Sequence, residues 1–126
     1  MKIALIAHDG KKAELVSFVL QNLALFDGAK IYSTATTGSH MEKAGLTVEK
    51  VLSGPKGGDA QIASKVAEGG IDLVLFFRDP LGKHAHEPDI QMLMRICDVH
   101  NVPLSTNPAG AKLLLVGLKE NVRLSV

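Results

Sequence analysis

The chain has 126 residues, 46% of them hydrophobic and 21% charged, with a formal net charge of +1. That composition suits one globular domain, 1–126, large enough to bury a core without metal or disulfide staples. A near-neutral chain with no single-sign run excludes nucleic acid and an acidic membrane surface as partners, and the single cysteine, Cys97, excludes an internal disulfide.

Met1-Lys2 leads directly into an apolar run with no signal-peptide pattern. No apolar run is long enough to span a bilayer, so a cytoplasmic protein is expected. Ile3 to Ala7 reads as a parallel strand buried on both faces, followed by His8-Asp9-Gly10. Val16, Val19, Leu20 and Leu23 then fall at helical spacing. Ile31-Tyr32-Ser33 reads as a second strand, running into Thr34-Ala35-Thr36-Thr37-Gly38 and a short helix through Met41 to Ala44. Thr47 to Leu52 is a third strand, and Ser53-Gly54-Pro55-Lys56-Gly57-Gly58-Asp59 follows it. Ala60 to Glu68 is helical, with Gly69-Gly70 as its stop.

Leu73 to Phe77 is the most apolar strand and is expected at the centre of the sheet. A long polar loop from Arg78 to Asp89 separates it from a helix face at Ile90, Leu93, Met94 and Cys97. Pro103-Leu104-Ser105 is a short strand, and Ala111, Leu114, Leu115 and Leu118 mark the last helix. Val122 to Val126 reads as an edge strand or a loose tail. Strands alternating with helices throughout predict an α/β fold, a three-layer α/β/α domain on a mostly parallel, Rossmann-like sheet of about five strands.

Every polar cluster follows a strand, and open α/β sheets bind ligands beyond the carboxyl ends of their strands. The loops are therefore expected to converge on one edge. Among them, Ser53 to Asp59 is the most informative. Its glycines let the main chain approach a ligand closely, and amides at the next helix start favour an anion. Asp59 would repel a phosphate, so beside an anion site it makes sense as a base acting on a carbon next to the phosphate. The same stretch is also compatible with a plain glycine-rich turn carrying an early-helix charge.

Thr34, Thr36 and Thr37 offer hydroxyls and helix-start amides to one phosphate, although each can serve as a simple cap. Lys12, within a turn of His8, is placed either to neutralise a bound phosphate or to lie in solvent. His86 and Asp89 suit acid/base work near neutral pH, and equally suit a loop brace and a helix cap. His84 and His86 alternate as metal ligands can, but no third ligand is fixed beside them, so no metal is assigned. Cys97 sits on an apolar helix face, as a buried inert thiol would.

Taken together, Ala7-His8-Asp9, Thr34 to Gly38, Ser53 to Asp59, Phe76-Phe77-Arg78-Asp79-Pro80-Leu81 and His86-Glu87-Pro88-Asp89 resemble the methylglyoxal synthase family, in order and in spacing, as far as about Asn107. The resemblance implies a cofactor-free lyase. It would convert dihydroxyacetone phosphate to methylglyoxal and inorganic phosphate through an enediolate, with phosphate as inhibitor. It further implies Asp59 as the base, with His86 and Asp89 handling protons on the substrate oxygens and His8 and Asp9 at the site. Lys12, Thr34, Thr36, Thr37, Ser53 and Gly54 would hold the phosphate, and Asp79 would stand behind them or in the pocket wall.

The resemblance also implies a homohexamer. Glu87 departs from a frequent aspartate, Gly10-Lys11 varies, and Val126 falls where many relatives continue into a longer tail, which bears on subunit coupling more than on catalysis. The competing reading is a non-catalytic regulatory domain of the same fold that senses phosphate or nucleotide. Such a domain keeps Thr37 and Ser53 but has no need of Asp59, His86 and Asp89 together. A flavin module would need aromatic stacking groups, and the chain has no Trp, one Tyr and four Phe.

Overall fold

In the computed structural model, residues 1–82 and 87–120 are described. The His84 and His86 positions and the segment from Val122 to Val126 lie outside them. Strands β1 (Lys2–Ala7), β2 (Lys30–Thr34), β3 (Glu49–Val51), β4 (Leu73–Phe77) and β5 (Leu104–Ser105) form one sheet. Its order is β3-β2-β1-β4-β5, and every pairing is parallel. Parallel neighbours need crossover connections, and helices α1 (Lys12–Gln21), α2 (Ala35–Lys43), α3 (Gly58–Ala67), α4 (Glu87–Val99) and α5 (Pro108–Lys119) are associated with them in chain order. The chain winds outward from β1 to β3, then returns to β4 beside β1, where Ile3 pairs with Leu73 and Ala7 with Phe77. The switch point of this doubly wound sheet therefore lies between β1 and β4.

Alternate residues of β1 and β4 point to opposite faces, which divides the core in two. Ile3, Leu5, Leu73, Leu75 and Phe77 pack with Leu15, Phe18, Met41 and Leu115, under α1, α2 and α5. Ala4, Ile6, Val74 and Phe76 pack with Ile62, Val66, Ile90, Leu93 and Cys97, under α3 and α4. Each large apolar side chain so buried contributes about 1.5–3 kcal/mol. The result is the expected three-layer α/β/α domain.

Some expectations change. The middle strand is β1, because β5 extends the sheet beyond β4. Helix α1 buries Leu15, Phe18 and Val19, while Leu20 is 43% exposed. A buried lysine sets this phase: the Lys12 ammonium donates to the carbonyl of Ala7 at 2.9 Å, so the side of α1 bearing Lys12, Leu15 and Val19 faces the sheet. Asp89 lies inside the first turn of α4 instead of capping it. Gly69, with φ 78°, follows the end of α3 as expected.

Candidate active site

Strands β1, β2 and β3 end in one shared backbone shape. His8 (φ −62°, ψ 156°), Thr34 (−64°, 155°) and Ser53 (−62°, 154°) are extended residues, and each opens a helical turn without capping it through its own side chain. A helix start leaves amides without intrahelical partners. No cap consumes those of Thr36 and Gly54, and donors at such a position attract anions. The three turns border one cavity of about 220 Å³, lined by His8, Asp9, Lys12, Thr34, Thr36, Ser53, Gly54 and Asp59 among others.

His8 is buried, and its ring meets Phe76 edge-on at 5.1 Å. The backbone N–H of Asp79 donates to His8 Nδ1 at 2.8 Å. An imidazole nitrogen that accepts a hydrogen bond carries no proton, so neutral His8 holds its proton on Nε2. Lys12 is only 8% exposed. Besides Ala7 it donates to Asp9 Oδ1 at 2.7 Å, which leaves one of its three ammonium hydrogens for a ligand. Asp9 holds that lysine from the solvent side, its own side chain being exposed.

The glycine-rich loop begins with a 3-10 turn, Gly54–Lys56, and Gly57 follows in the left-handed region at φ 103°. A Cβ on Gly58 would stand 1.9 Å from the carbonyl oxygen of Leu52, so only glycine fits there. These two glycines turn the chain sharply into α3 and place Asp59 at its second residue, fully buried. Its carboxyl group lies at the positive end of the α3 dipole. A carboxylate wholly withdrawn from water in a cleft is characteristic of a functional position.

Three other described residues singled out from the sequence, Thr37, Asp79 and Asp89, fall outside the cavity lining. Thr37 is fully buried, and its hydroxyl accepts from Thr34 Oγ1 at 3.4 Å, so it lies behind Thr34. Asp79 takes part through its peptide N–H, while its carboxylate accepts from Leu81 N at 3.0 Å. Asp89 is half-buried in the first turn of α4. His86 lies outside the described residues. Ile6, Ala7, Pro55 and Phe76, not singled out from the sequence as site residues, also line the wall. Pro55 stood inside the loop already chosen, and Phe76 pairs with Ile6 across the switch point, the place where that wall was to be sought.

The loops after β4 and β5 border a different hollow, of about 490 Å³, lined by Lys11, Glu14, Phe77, Arg78, Thr106 and Asn107 among others. Among the described residues, the polar loops thus share one edge of the sheet but line two cavities. Among the described residues no group of three His, Cys, Asp or Glu side chains is placed to hold a metal ion. No described helix is long and apolar enough to cross a membrane.

The MGS-like domain family model matches residues 14–106. The chain is 56% identical over 116 residues to a methylglyoxal synthase of Moorella thermoacetica, covering 91% of each chain. It is 54% identical over 119 residues to a methylglyoxal synthase of Carboxydothermus hydrogenoformans, covering 94% of this chain and 98% of that one. Among solved structures, it is similar to the methylglyoxal synthase of Elizabethkingia anophelis. That likeness has a TM-score of 0.85 at 39% identity and covers 90% of this chain and 76% of the other.

Proposed function

The chain belongs to the MGS-like domain family, among its methylglyoxal synthases, and from that premise we propose how its site performs the reaction. The enzyme is a lyase that turns dihydroxyacetone phosphate into methylglyoxal and inorganic phosphate. A phosphorylated triose is a substrate of the cell interior, which fits a cytoplasmic location. The observation that carries the assignment of roles is the fully buried Asp59 carboxylate in one cavity with Lys12 and three uncapped helix starts.

The phosphoryl group sits among the Lys12 ammonium, the hydroxyls of Thr34, Thr36 and Ser53, and the first-turn amides. Charge-assisted bonds of this kind are about twice as strong as neutral ones. Asp59 removes a proton from the hydroxymethyl carbon, which the adjacent carbonyl makes acidic. The electron pair moves onto the carbonyl oxygen, and the Nε2–H of neutral His8 donates to that oxygen as its charge grows. His86 and Asp89 move protons on the substrate oxygens. When the carbon–oxygen bond to phosphate stands perpendicular to the enediolate plane, the π electrons expel phosphate, and the enol left behind tautomerises to methylglyoxal. The cradle that fixes the phosphate sets this torsion. Asp79 acts from behind, through the N–H that fixes the His8 tautomer.

A regulatory domain that only senses phosphate has no use for a carboxylate buried beside its anion, so catalysis is the better reading. A coupled assay for methylglyoxal from dihydroxyacetone phosphate tests it, with Asp59→Asn as the control that keeps shape and removes the base. Turnover should vanish in the variant while phosphate still binds, and near-normal turnover would refute the role of Asp59. We also propose a homohexamer in which phosphate inhibits by occupying the substrate's phosphoryl position. Light scattering at micromolar concentration should then report about six subunits, as closed symmetry allows. An active monomer would overturn that.

A further inference from the structure

Arg78 follows β4 directly, and Glu87 is the first residue of α4. Arg78 Nη2 donates to Glu87 Oε1 at 2.7 Å, and both side chains are 34% exposed. Arg78 is held in other ways as well. Its backbone N–H donates to the carbonyl of Thr106 at 3.3 Å, and Nη1 lies 3.9 Å from the sulfur of Met94. The pair therefore joins the two ends of the segment 79–86 across the edge of the sheet.

Both ends carry chemistry. Next to Arg78 is Asp79, whose N–H fixes the His8 tautomer. Two residues beyond Glu87 is Asp89, in the same helical turn. Helix α4 does not need the pair in order to dock, because Ile90, Leu93 and Cys97 already anchor it at 1% exposure or less. Half-exposed ion pairs contribute little to stability. What this one fixes is the distance between the end of β4 and the first turn of α4. The phosphate cradle lies elsewhere, on the turns after β1, β2 and β3.

We propose that the Arg78–Glu87 ion pair is a positioning device. It holds the His8–Asp79 hydrogen bond and the first turn of α4, with Asp89, at the separation that proton transfer requires. It acts on turnover and leaves affinity for the phosphorylated substrate alone. A misplacement of about 1 Å at a reacting centre can cost on the order of 100-fold in rate, whereas ligand binding through the cradle is indifferent to it.

The test is a double-mutant cycle with Arg78→Met, which keeps the apolar stem, and Glu87→Gln, which keeps shape and folding. Each single variant should lose about 10- to 100-fold in kcat. KM and the phosphate inhibition constant should stay within about threefold, and Tm within about 4 °C, the shift of a weak surface pair. Combining the two should cost no more than either alone, because they act as one unit. Unchanged kcat in a folded variant overturns the proposal. So does a rise in KM at constant kcat, and so do losses that multiply in the double variant. Should Arg78→Met fail to fold, Glu87→Gln alone decides. The inference rests on the catalytic reading above, and the unmutated enzyme separates the two: if it forms no methylglyoxal that reading fails, whereas if it is active and Glu87→Gln matches it, only this proposal fails.

Discussion

The two hollows at the carboxyl edge of the sheet differ in what their helix starts do with their amides. Around the smaller one, His8, Thr34 and Ser53 open helical turns and cap none of them. Beside the larger one, Asn107 opens α5 and accepts from the N–H of Gly110 through its own side chain at 3.0 Å. Pro108 at the first position removes another donor. The cations differ as well. Lys12 is buried with a hydrogen to spare, whereas Lys11 and Arg78 are half-exposed and paired with Glu14 and Glu87. Volume ranks the hollows the wrong way round. An anion site is made by withholding caps and burying one cation, and a helix that satisfies itself has nothing left to offer. Consecutive residues wall the two, since Phe76 and Phe77 point to opposite faces of β4.

The contrast can be broken most sharply at Asp59, a buried carboxylate, whereas Glu14 in the larger hollow is exposed and paired with Lys11. Asp59→Asn should lower kcat on the order of 10³-fold or more, read in the coupled assay. Next, Lys12→Met should raise KM and the phosphate inhibition constant together, each by about 5- to 150-fold, the equivalent of about 1–3 kcal/mol for one lost charged contact. An inhibition constant that moves while KM stays fixed would mean a separate anion site. Asn107→Ala strips the cap from α5 and should cost about 1 kcal/mol in denaturant unfolding. Its KM should not move, because stability and binding are separated between the two regions. The smallest effect belongs to Thr106→Val, which should change KM and kcat by less than about twofold, as a surface substitution away from the chemistry does. A loss approaching that of Lys12→Met would place the ligand in the wrong hollow.

Strand and helix periodicity made the layer architecture legible, since alternation of elements leaves few topologies open. The glycine-rich loop with Asp59 and the threonine turn were legible too, because local chemistry dictates such turns. Other features depend on distances between elements. Thr36 and Thr37 look alike in the chain, yet α2 turns Thr36 to the cavity and Thr37 into the core. Asp79 reads as a carboxylate, but its contribution to the site is a peptide N–H, which any residue type other than proline supplies. The phase of α1 was misread because apolar residues surround that helix. The residue that decides it, Lys12, is one that periodicity counts as polar. The division into two hollows follows from which face of β4 each loop covers, and single-sequence patterning carries no such information.

The outer strands have a further consequence. Among the described residues, β3 contributes three residues and β5 only two, so each border of the sheet presents a very short row of backbone donors and acceptors. Long open borders invite pairing with another chain, and clipping them is a way to prevent it. The proposed hexamer is therefore expected to form without continuing a sheet from one copy into the next. Its contacts are expected from side chains on helices and loops, where Leu113 on α5 stands 75% exposed. Assembly of that kind can be altered one surface residue at a time without unpicking a single strand.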